Sequence, residues 1–275
     1  AATAIREIHV SQRSGFGRTL LNCTDYNTPA LGYVMRYRDL AASLDARITA
    51  TQLIPECHIG ASEAGPDAVS MTLMHQGRSQ RAHAKLVVHA EGTPGDDPAV
   101  KQFDYRQQAI IADVRPCPAH GHRAWERFTP DGPLALLPLG EDYSVVFTVA
   151  PEKAARILAL DDTGFLAALR EQFGRRLDCI SCGARASFPL ALRLRPELVS
   201  QRQVWIGHCA QTLHPVSGQG FNLGLRDAWE LAETLHDKAG DPGTSSTRAI
   251  YARGRRSDRA GSTACTDGIV RLFSN

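Results

Sequence analysis

Residues 204–235 contain the pattern that most constrains how this chain can fold. A short apolar run at 204–206 ends at Gly207, a loop rich in turn-forming residues follows, and a helix is predicted to begin near Phe221 or Asn222. Gly218 and Gly220 let the backbone approach a ligand because neither carries a Cβ atom. The free N–H groups and partial positive charge at the helix start suit an anionic or electron-rich ligand. An ordinary strand–loop–helix unit has the same pattern, so the pattern alone leaves both interpretations open.

The rest of the chain mixes strand and helix patterns, which predicts a mixed α/β (α+β) fold. Strands are predicted at 5–10 and 18–23, which form a hairpin, and at 69–75, 81–90, 107–115, 123–129, 134–139, 143–149, 184–192 and 203–206. Helices are predicted at 31–50, 162–174, 221–238 and 246–272, and the Gly- and Pro-rich stretch 92–104 is predicted to be a loop. The helix at 221–238 is amphipathic, and its apolar face consists of Phe221, Leu225, Ala228, Ala232 and Leu235.

Composition argues against several classes of function. A formal net charge of +2 is too small to indicate nucleic-acid binding, and no run of about 18 apolar residues could form a spanning helix. Seven cysteines, an odd number without framework spacing, predict reduced thiols in a cytoplasmic protein. One CxxC pattern, Cys179 and Cys182, near Cys117, His120 and His122 is too weak to indicate a zinc site, so no metal is predicted.

The segment from Gln211 to Asp227, QTLHPVSGQGFNLGLRD, closely resembles the C-terminal flavin motif of the aromatic hydroxylases typified by p-hydroxybenzoate hydroxylase. Within that family it is most similar to the ubiquinone-biosynthesis branch, the 2-octaprenyl-6-methoxyphenol hydroxylase type. Further matches extend the resemblance along essentially the whole chain, at Ile8–Ser11, Ala30–Gly32, Trp125–Thr129, Gly132–Ala135, Phe188–Leu192 and Ser257–Arg259.

The resemblance implies a p-hydroxybenzoate-hydroxylase-like architecture with two domains. Residues 28–102 and 194–275 would be the remaining parts of an incomplete FAD-binding, Rossmann-like domain. Residues 1–27 and 103–193 would form a discontinuous substrate-binding domain on a mixed or antiparallel sheet. Arg127 and Phe128 would line its substrate pocket, although strand alternation alone makes it equally consistent that they face away from it.

The resemblance also implies an FAD-dependent monooxygenase that hydroxylates a polyprenylated phenol in ubiquinone biosynthesis. NAD(P)H would reduce FAD, O₂ would then give a flavin C4a-hydroperoxide, and no catalytic side chain is expected because the flavin performs the chemistry. Such an apolar substrate implies a cytoplasmic protein that works peripherally at the inner membrane and associates with a ubiquinone-biosynthesis complex. The basic run of Arg253, Arg255, Arg256 and Arg259 would either contact anionic lipid or form a solvated helix face.

Residues of the matched motif take their implied roles from the family. The loop Pro215–Gly220, which includes Gly218 and Gln219, would run along the flavin ring, and the following helix would point its start at the ring edge that becomes negative on reduction. Asn222 would hydrogen-bond that edge. Asp227 would hold the helix in place, and His214 would fix the loop rather than act as a base. The remaining implied FAD contacts are the pairs Glu91-Gly92 and Gly207-His208.

Three features depart from the family pattern. Glu91-Gly92 stands where the family has Asp-Gly, and Gly207-His208 stands where it has Gly-Asp or Gly-Asn. The sequence has no GxGxxG motif for the FAD pyrophosphate. With a first residue that is not Met, this predicts a piece of a longer protein that lacks roughly ninety residues of the family layout and its C-terminal cap. Such a piece is expected to bind FAD weakly or not at all, and so to be inactive.

Two alternatives remain open at this stage. A non-catalytic binding or assembly protein derived from the family would account for Glu91, His208 and the absent GxGxxG motif. In that case, restoring upstream residues would not restore FAD binding. A different flavin oxidoreductase on the same scaffold would lack oxygen uptake that depends on a prenylated phenol.

Overall fold

The computed structural model describes residues 1–13, 15, 17–48, 53–93, 95–237 and 240–273. The chain separates into two compact units. The first consists of residues 1–49, 104–190 and 269–275, and the second of residues 50–103 and 191–268. Residues 28–49, which were expected in the FAD-binding part, cluster with the first unit.

The regular elements follow one another along the chain. The strands are β1 Thr3–Ile5, β2 Glu7–Gln12, β3 Arg18–Asn22, β4 Gly32–Val34, β5 Cys57–Ala64, β6 Val69–His75, β7 Arg78–Ala84, β8 Val87–His89, β9 Lys101–Pro116, β10 Arg123–Thr129, β11 Gly132–Leu139, β12 Asp142–Val149, β13 Cys179–Cys182, β14 Ala186–Leu194, β15 Val199–Ser200, β16 Gln203–Trp205 and β17 Gln211–Thr212. The helices are α1 Tyr37–Asp45, α2 Pro151–Leu158, α3 Asp162–Phe173, α4 Gly220–His236 and α5 Ser245–Phe273.

The first unit is built on a mixed sheet with the strand order β14-β9-β12-β11-β10-β2-β3, and β13 also pairs with β9. The pairing is antiparallel from β9 through β10, whereas β10 and β2 run parallel. A second antiparallel pair, β1 with β4, belongs to the same unit. The mixed sheet and its helices confirm the predicted mixed α/β fold class.

Strand alternation gives this sheet two different faces. The helix face includes the cross-strand row Trp125, Leu136, Val145 and Ala112, all buried in one core with α2 and α3. The next row, Glu126, Ala135, Val146 and Ile111, points the other way, and all four residues are half-buried. We call the side that carries this second row the open face.

The second unit contains two small sheets and two long helices. β15 pairs antiparallel with β16, and β16 pairs parallel with β8. β5, β6 and β7 form an antiparallel sheet, and the end of β14 pairs with β17. Its buried core is formed by Leu198, Val204, Ala210, Leu231 and Tyr251. No helix in the described ranges combines the length and the apolarity needed to cross a bilayer.

Several local predictions need correction. The predicted helix 31–50 begins with strand β4, because Gly32–Val34 pairs with β1, and only 37–45 is helical; residues 49 and 50 lie outside the described residues. The predicted strand 81–90 is two strands in different sheets, β7 and β8. The predicted loop 92–104 ends earlier, at the start of β9. β5, α2 and β13 were not predicted.

Helix α4 buries a different face from the one its apolar pattern suggests. Its buried residues are Leu223, Asp227 and Leu231. Phe221 and Leu225, members of the predicted apolar face, are 52% and 47% exposed, and Trp229 is 68% exposed. The helix begins at Gly220, one residue from the predicted start, and residue 238 of the predicted range lies outside the described residues.

Candidate functional site

Two parallel strands bring the Glu91-Gly92 and Gly207-His208 pairs to one edge of a small sheet. β8 and β16 pair with Trp205 opposite His89, and the Ile206 amide donates to the His89 carbonyl oxygen at 3.0 Å. Both pairs therefore follow the carboxyl ends of neighbouring parallel strands, the edge at which open α/β sheets bind ligands. The Cys209 thiol donates to the Gly92 carbonyl oxygen at 3.0 Å and links the two loops.

A close approach between two glycines sets the position of α4 against the end of β16. Gly207 has a φ of +59°, a conformation that side chains disfavour. A Cβ atom added to Gly224 would lie 3.3 Å from the Gly207 Cα atom. The backbones of strand end and helix can meet this closely because both residues lack a side chain.

We expect Gly224→Ala to lower the free energy of unfolding by about 1–3 kcal/mol, because the added methyl group overpacks this contact. Gly261→Ala is the matched control, since Gly261 is also helical and has nothing within 4 Å of an added Cβ among the described residues. There alanine should be neutral or stabilise by up to about 1 kcal/mol. Urea unfolding followed by circular dichroism measures both. Equal effects in the two variants would show that the glycine contact is not the cause.

Asp227 is the buried acceptor that holds the strand end, the loop and the two helices together. Its Oδ2 accepts from the Gly207 amide at 2.9 Å and from the Gln211 side-chain amide at 2.7 Å. Its Oδ1 accepts from Nε of Arg255 at 2.7 Å, and both side chains of this ion pair are fully buried. Arg259 donates to the Gln211 side-chain oxygen at 2.7 Å and so extends the network.

This network corrects both interpretations of the basic run on α5 for one of its residues, Arg255. Arg255 is fully buried and also contacts Glu230 and Asp258, so it belongs neither to a lipid-binding surface nor to a solvated face. Arg253 and Arg256 are exposed. Sequence reasoning missed Arg255 because a helix with so many polar residues gives no pattern that marks which arginine faces inward.

His214 is buried at the start of the loop before α4. Its Nδ1 accepts from the Val216 amide at 3.1 Å and caps the short 3₁₀ turn Pro215–Ser217. Burial lowers the pKa of His214 to about 4, so the ring is neutral at neutral pH. A neutral ring whose Nδ1 is engaged by the loop backbone suits a positioning role rather than proton transfer.

The loop before α4 presents an open backbone surface. Gly218 has a φ of +59°, and among the described residues nothing lies within 4 Å of a Cβ added there. Gln219, the residue before the helix, makes no side-chain cap, so the first-turn N–H groups keep their donor capacity. Pro215, Gly218 and Asn222 are exposed. The described residues therefore leave the space in front of Gly218 open.

His208 lies beside this helix start, and Glu91 lies on the neighbouring loop after β8. The exposed His208 ring brings Nε2 to 3.9 Å from a Cβ added to Gly220. Glu91 contacts Nδ1 of His89 at 3.3 Å. Burial acts to raise the pKa of Glu91, but hydrogen bonding to its own amide and the neighbouring His89 hold it below its usual value. Glu91 is therefore an anion at neutral pH.

A three-layer stack supports the Glu91 loop and was not anticipated from the sequence. The His89 and Trp205 rings stack with centroids 4.7 Å apart and planes 7° apart. The Arg195 guanidinium carbon lies 4.4 Å from the Trp205 ring centroid, and Arg195 also pairs with Asp97. These residues are far apart in sequence, so only the strand pairing brings them together.

The expectation that Arg127 and Phe128 both line one pocket is wrong, because neighbouring residues of a strand point to opposite faces. Arg127 lies opposite Leu134 on the helix face, and its guanidinium donates to the Ser11 hydroxyl at 3.0 Å. Phe128 lies opposite Pro133 on the open face. Only Phe128 can contribute to a site there.

The weak cysteine and histidine pattern does not form a metal site among the described residues, where no three potential ligands cluster. All seven cysteines are unpaired thiols. His120 and His122 instead contact backbone carbonyls, of Gly140 at 2.9 Å and Ala4 at 3.0 Å.

Comparison with known proteins identifies the family of the chain. Residues 38–260 match a family model described as an FAD binding domain. The chain belongs to this family. The match includes the Glu91 loop, the Gly207 loop and the start of α4, the three features that meet at the sheet edge.

The similar proteins fit the predicted branch of the family. The chain is 35% identical over 258 residues to ubiquinone hydroxylase UbiL of Rhodospirillum rubrum, covering 89% of this chain and 59% of that protein. It is 32% identical over 158 residues to 3-demethoxyubiquinol 3-hydroxylase of Escherichia coli, covering 55% of this chain and 40% of that enzyme. These relatives confirm the predicted resemblance. The chain spans little more than half the length of the first of them.

A solved structure supports the fold. PqsL of Pseudomonas aeruginosa, a probable FAD-dependent monooxygenase, superposes with a TM-score of 0.78 at 18% identity, covering all of this chain and 80% of that one.

Proposed function

We propose that the protein to which this chain belongs is an FAD-dependent hydroxylase that acts on a polyprenylated phenol in ubiquinone biosynthesis. The observation that carries the proposal is the convergence of the Glu91 loop, the Gly207-His208 turn and the uncapped start of α4 at the carboxyl edge of β8 and β16. FAD bound there would accept electrons from NAD(P)H and supply the activated oxygen.

The residues of the edge have distinct roles in this proposal. The α4 N–H groups and Asn222 would hydrogen-bond the flavin ring edge that becomes negative on reduction, worth about 0.3–2 kcal/mol for charge at a helix end. Pro215, Gly218, Gln219 and Gly220 would form the surface beside the ring. Glu91 and His208 would contact the polar part of the cofactor.

Because the sequence has no GxGxxG motif, we propose that activity requires the full-length protein. A polyprenylated substrate partitions into lipid, so we expect peripheral association with the inner membrane and with other ubiquinone-biosynthesis proteins.

The proposal predicts that Gly218→Val weakens FAD binding by the full-length protein about tenfold or more, because the side chain would enter the surface offered to the ring. Gly77→Val is the matched control. Gly77 also has a positive φ and open space around an added Cβ, but it lies in the β6–β7 turn. Flavin fluorescence titration measures both. If both variants lost FAD affinity equally, the loop before α4 would no longer be supported as the surface that contacts the flavin.

Activity is tested by NAD(P)H and O₂ consumption with a prenylated phenol and by mass spectrometry of the product. A product heavier by one oxygen atom is expected. A full-length protein that purifies without flavin and binds none on titration would contradict the proposal.

A further inference from the structure

Glu126 is a carboxyl group isolated among apolar neighbours on the open face. Its cross-strand neighbours there are Val10 on one side and Ala135 on the other. In the part of the chain that the structure describes, its buried Oε1 has no hydrogen-bond partner. Phe128, two residues along the same strand, continues the apolar surface. A buried polar atom without a partner is costly, so a ligand donor that reached it would be bound favourably.

Burial alone raises the pKa of Glu126 to about 7. The protonated and ionised forms therefore both occur near neutral pH. The same atom can accept a hydrogen bond as a carboxylate or donate one as a carboxylic acid.

A row of residues on the open face leads from Glu126 towards a cleft. The row Glu126, Ala135, Val146 and Ile111 crosses four adjacent strands, which is roughly 14 Å at three strand spacings. Ile111 then lines a cleft of about 670 Å³, whose other walls include Val34–Arg38 and Phe188. Ala135 and Val146, which lie between the carboxyl group and Ile111, are apolar and half-buried, so the row presents partly exposed apolar surface that an aliphatic chain can contact.

We propose that Glu126 binds the hydroxyl group of a phenolic ligand whose apolar tail lies along Ala135, Val146 and Ile111 and enters the cleft. This assignment rests on the proposed function for its ligand class. The head group would be selected by one polar atom and the tail by the apolar row, with no cation involved.

Isothermal titration of the 275-residue chain with 4-pentylphenol and its methyl ether, 4-pentylanisole, tests the head-group contact. Wild type should prefer the phenol by about tenfold, as expected for a hydrogen bond to a charged group. Glu126→Met should abolish this preference, because methionine keeps the length and removes the oxygen atoms. Glu141→Met is the control, since Glu141 is an exposed carboxylate at the β11–β12 turn of the same sheet, and it should retain the preference.

The pH dependence and the tail give two further readouts. Wild-type preference for the phenol should rise between about pH 6 and about pH 8, on either side of the Glu126 pKa, because the carboxylate is the stronger acceptor. Glu126→Gln, which keeps the shape of the side chain but does not ionise in this pH range, should show a flat profile. Val146→Ser should reduce the advantage of 4-pentylphenol over phenol several-fold and leave the preference for phenol over ether intact.

Glu126→Met should also melt at a higher temperature than wild type at about pH 8, because an unpartnered carboxylate is replaced by an apolar side chain. Retention of the phenol preference in Glu126→Met, or its absence in wild type, would overturn the assignment. FAD titration of full-length Glu126→Met separates the two hypotheses. The full-length variant should bind FAD as tightly as the full-length wild type. A full-length wild type that binds no FAD would instead count against the proposed function.

Discussion

Replacing Arg255 with methionine is expected to lower the free energy of unfolding by about 3–5 kcal/mol, because it leaves the fully buried carboxylate of Asp227 without its cation. The amides of Gly207 and Gln211 would still donate to Asp227, but neutral donors do not replace a buried countercharge. Urea unfolding at neutral pH measures the change.

Two variants make the Arg255 prediction specific. Arg253→Met changes an exposed arginine two residues earlier on the same helix, and it should stay within about 0.5 kcal/mol of wild type. The double variant Asp227→Asn with Arg255→Met should recover part of the loss, since removing both charges avoids the uncompensated one. Wild-type stability in Arg255→Met alone would show that the ion pair does not stabilise the fold.

Acidification is expected to destabilise the fold through His214 by about 3 kcal/mol. In the unfolded chain the ring takes up a proton near the ordinary histidine pKa of 6.5, whereas burial lowers the folded pKa to about 4. Between these values the unfolded state binds more protons, so lowering the pH favours unfolding. The stability that depends on the neutral His214 ring is fully present above about pH 6.5, and it is lost as the pH falls towards about 4.

His214→Asn tests this pH dependence without removing the loop contact, because the asparagine oxygen can still accept from the Val216 amide. Melting temperature is followed from about pH 7 down to about pH 4, and the variant should show a flatter profile than wild type. His58→Asn, at an exposed histidine of the same unit, should keep the wild-type slope. Parallel profiles for wild type and His214→Asn would contradict the prediction.

The sequence predicted the elements whose pattern follows from burial. β10, β11 and β12 were predicted because one face of each strand lies in the α2–α3 core and the apolar residues there alternate. α4 was located within one residue because glycines mark its start. β5 was missed because most of its residues are exposed, so no apolar alternation signals it. The predicted strand 81–90 failed because a local pattern cannot tell one continuous strand from two that join different sheets.

The candidate site depended on information that the local sequence does not contain. The Glu91 and Gly207 loops meet because β8 and β16 run parallel, and no spacing along the chain encodes that pairing. Their grouping was expected only from the family resemblance. The buried position of Arg255 and the Arg195–Trp205–His89 stack were not anticipated. In each of these, partners distant in sequence determine whether a polar or aromatic side chain lies inside.

The Gly207–Gly224 contact has a consequence for how this edge can vary. The distance between the end of β16 and helix α4 is set by a contact between the backbones of Gly207 and Gly224. The hydrogen bond from the Gly207 amide to Asp227 holds the same two segments together. Residues that project from the edge, such as Glu91 and His208, can therefore be exchanged without displacing the frame. Departures from the family pattern at those two positions would change the polar groups that a bound molecule meets. They would not change the distance between the end of β16 and helix α4.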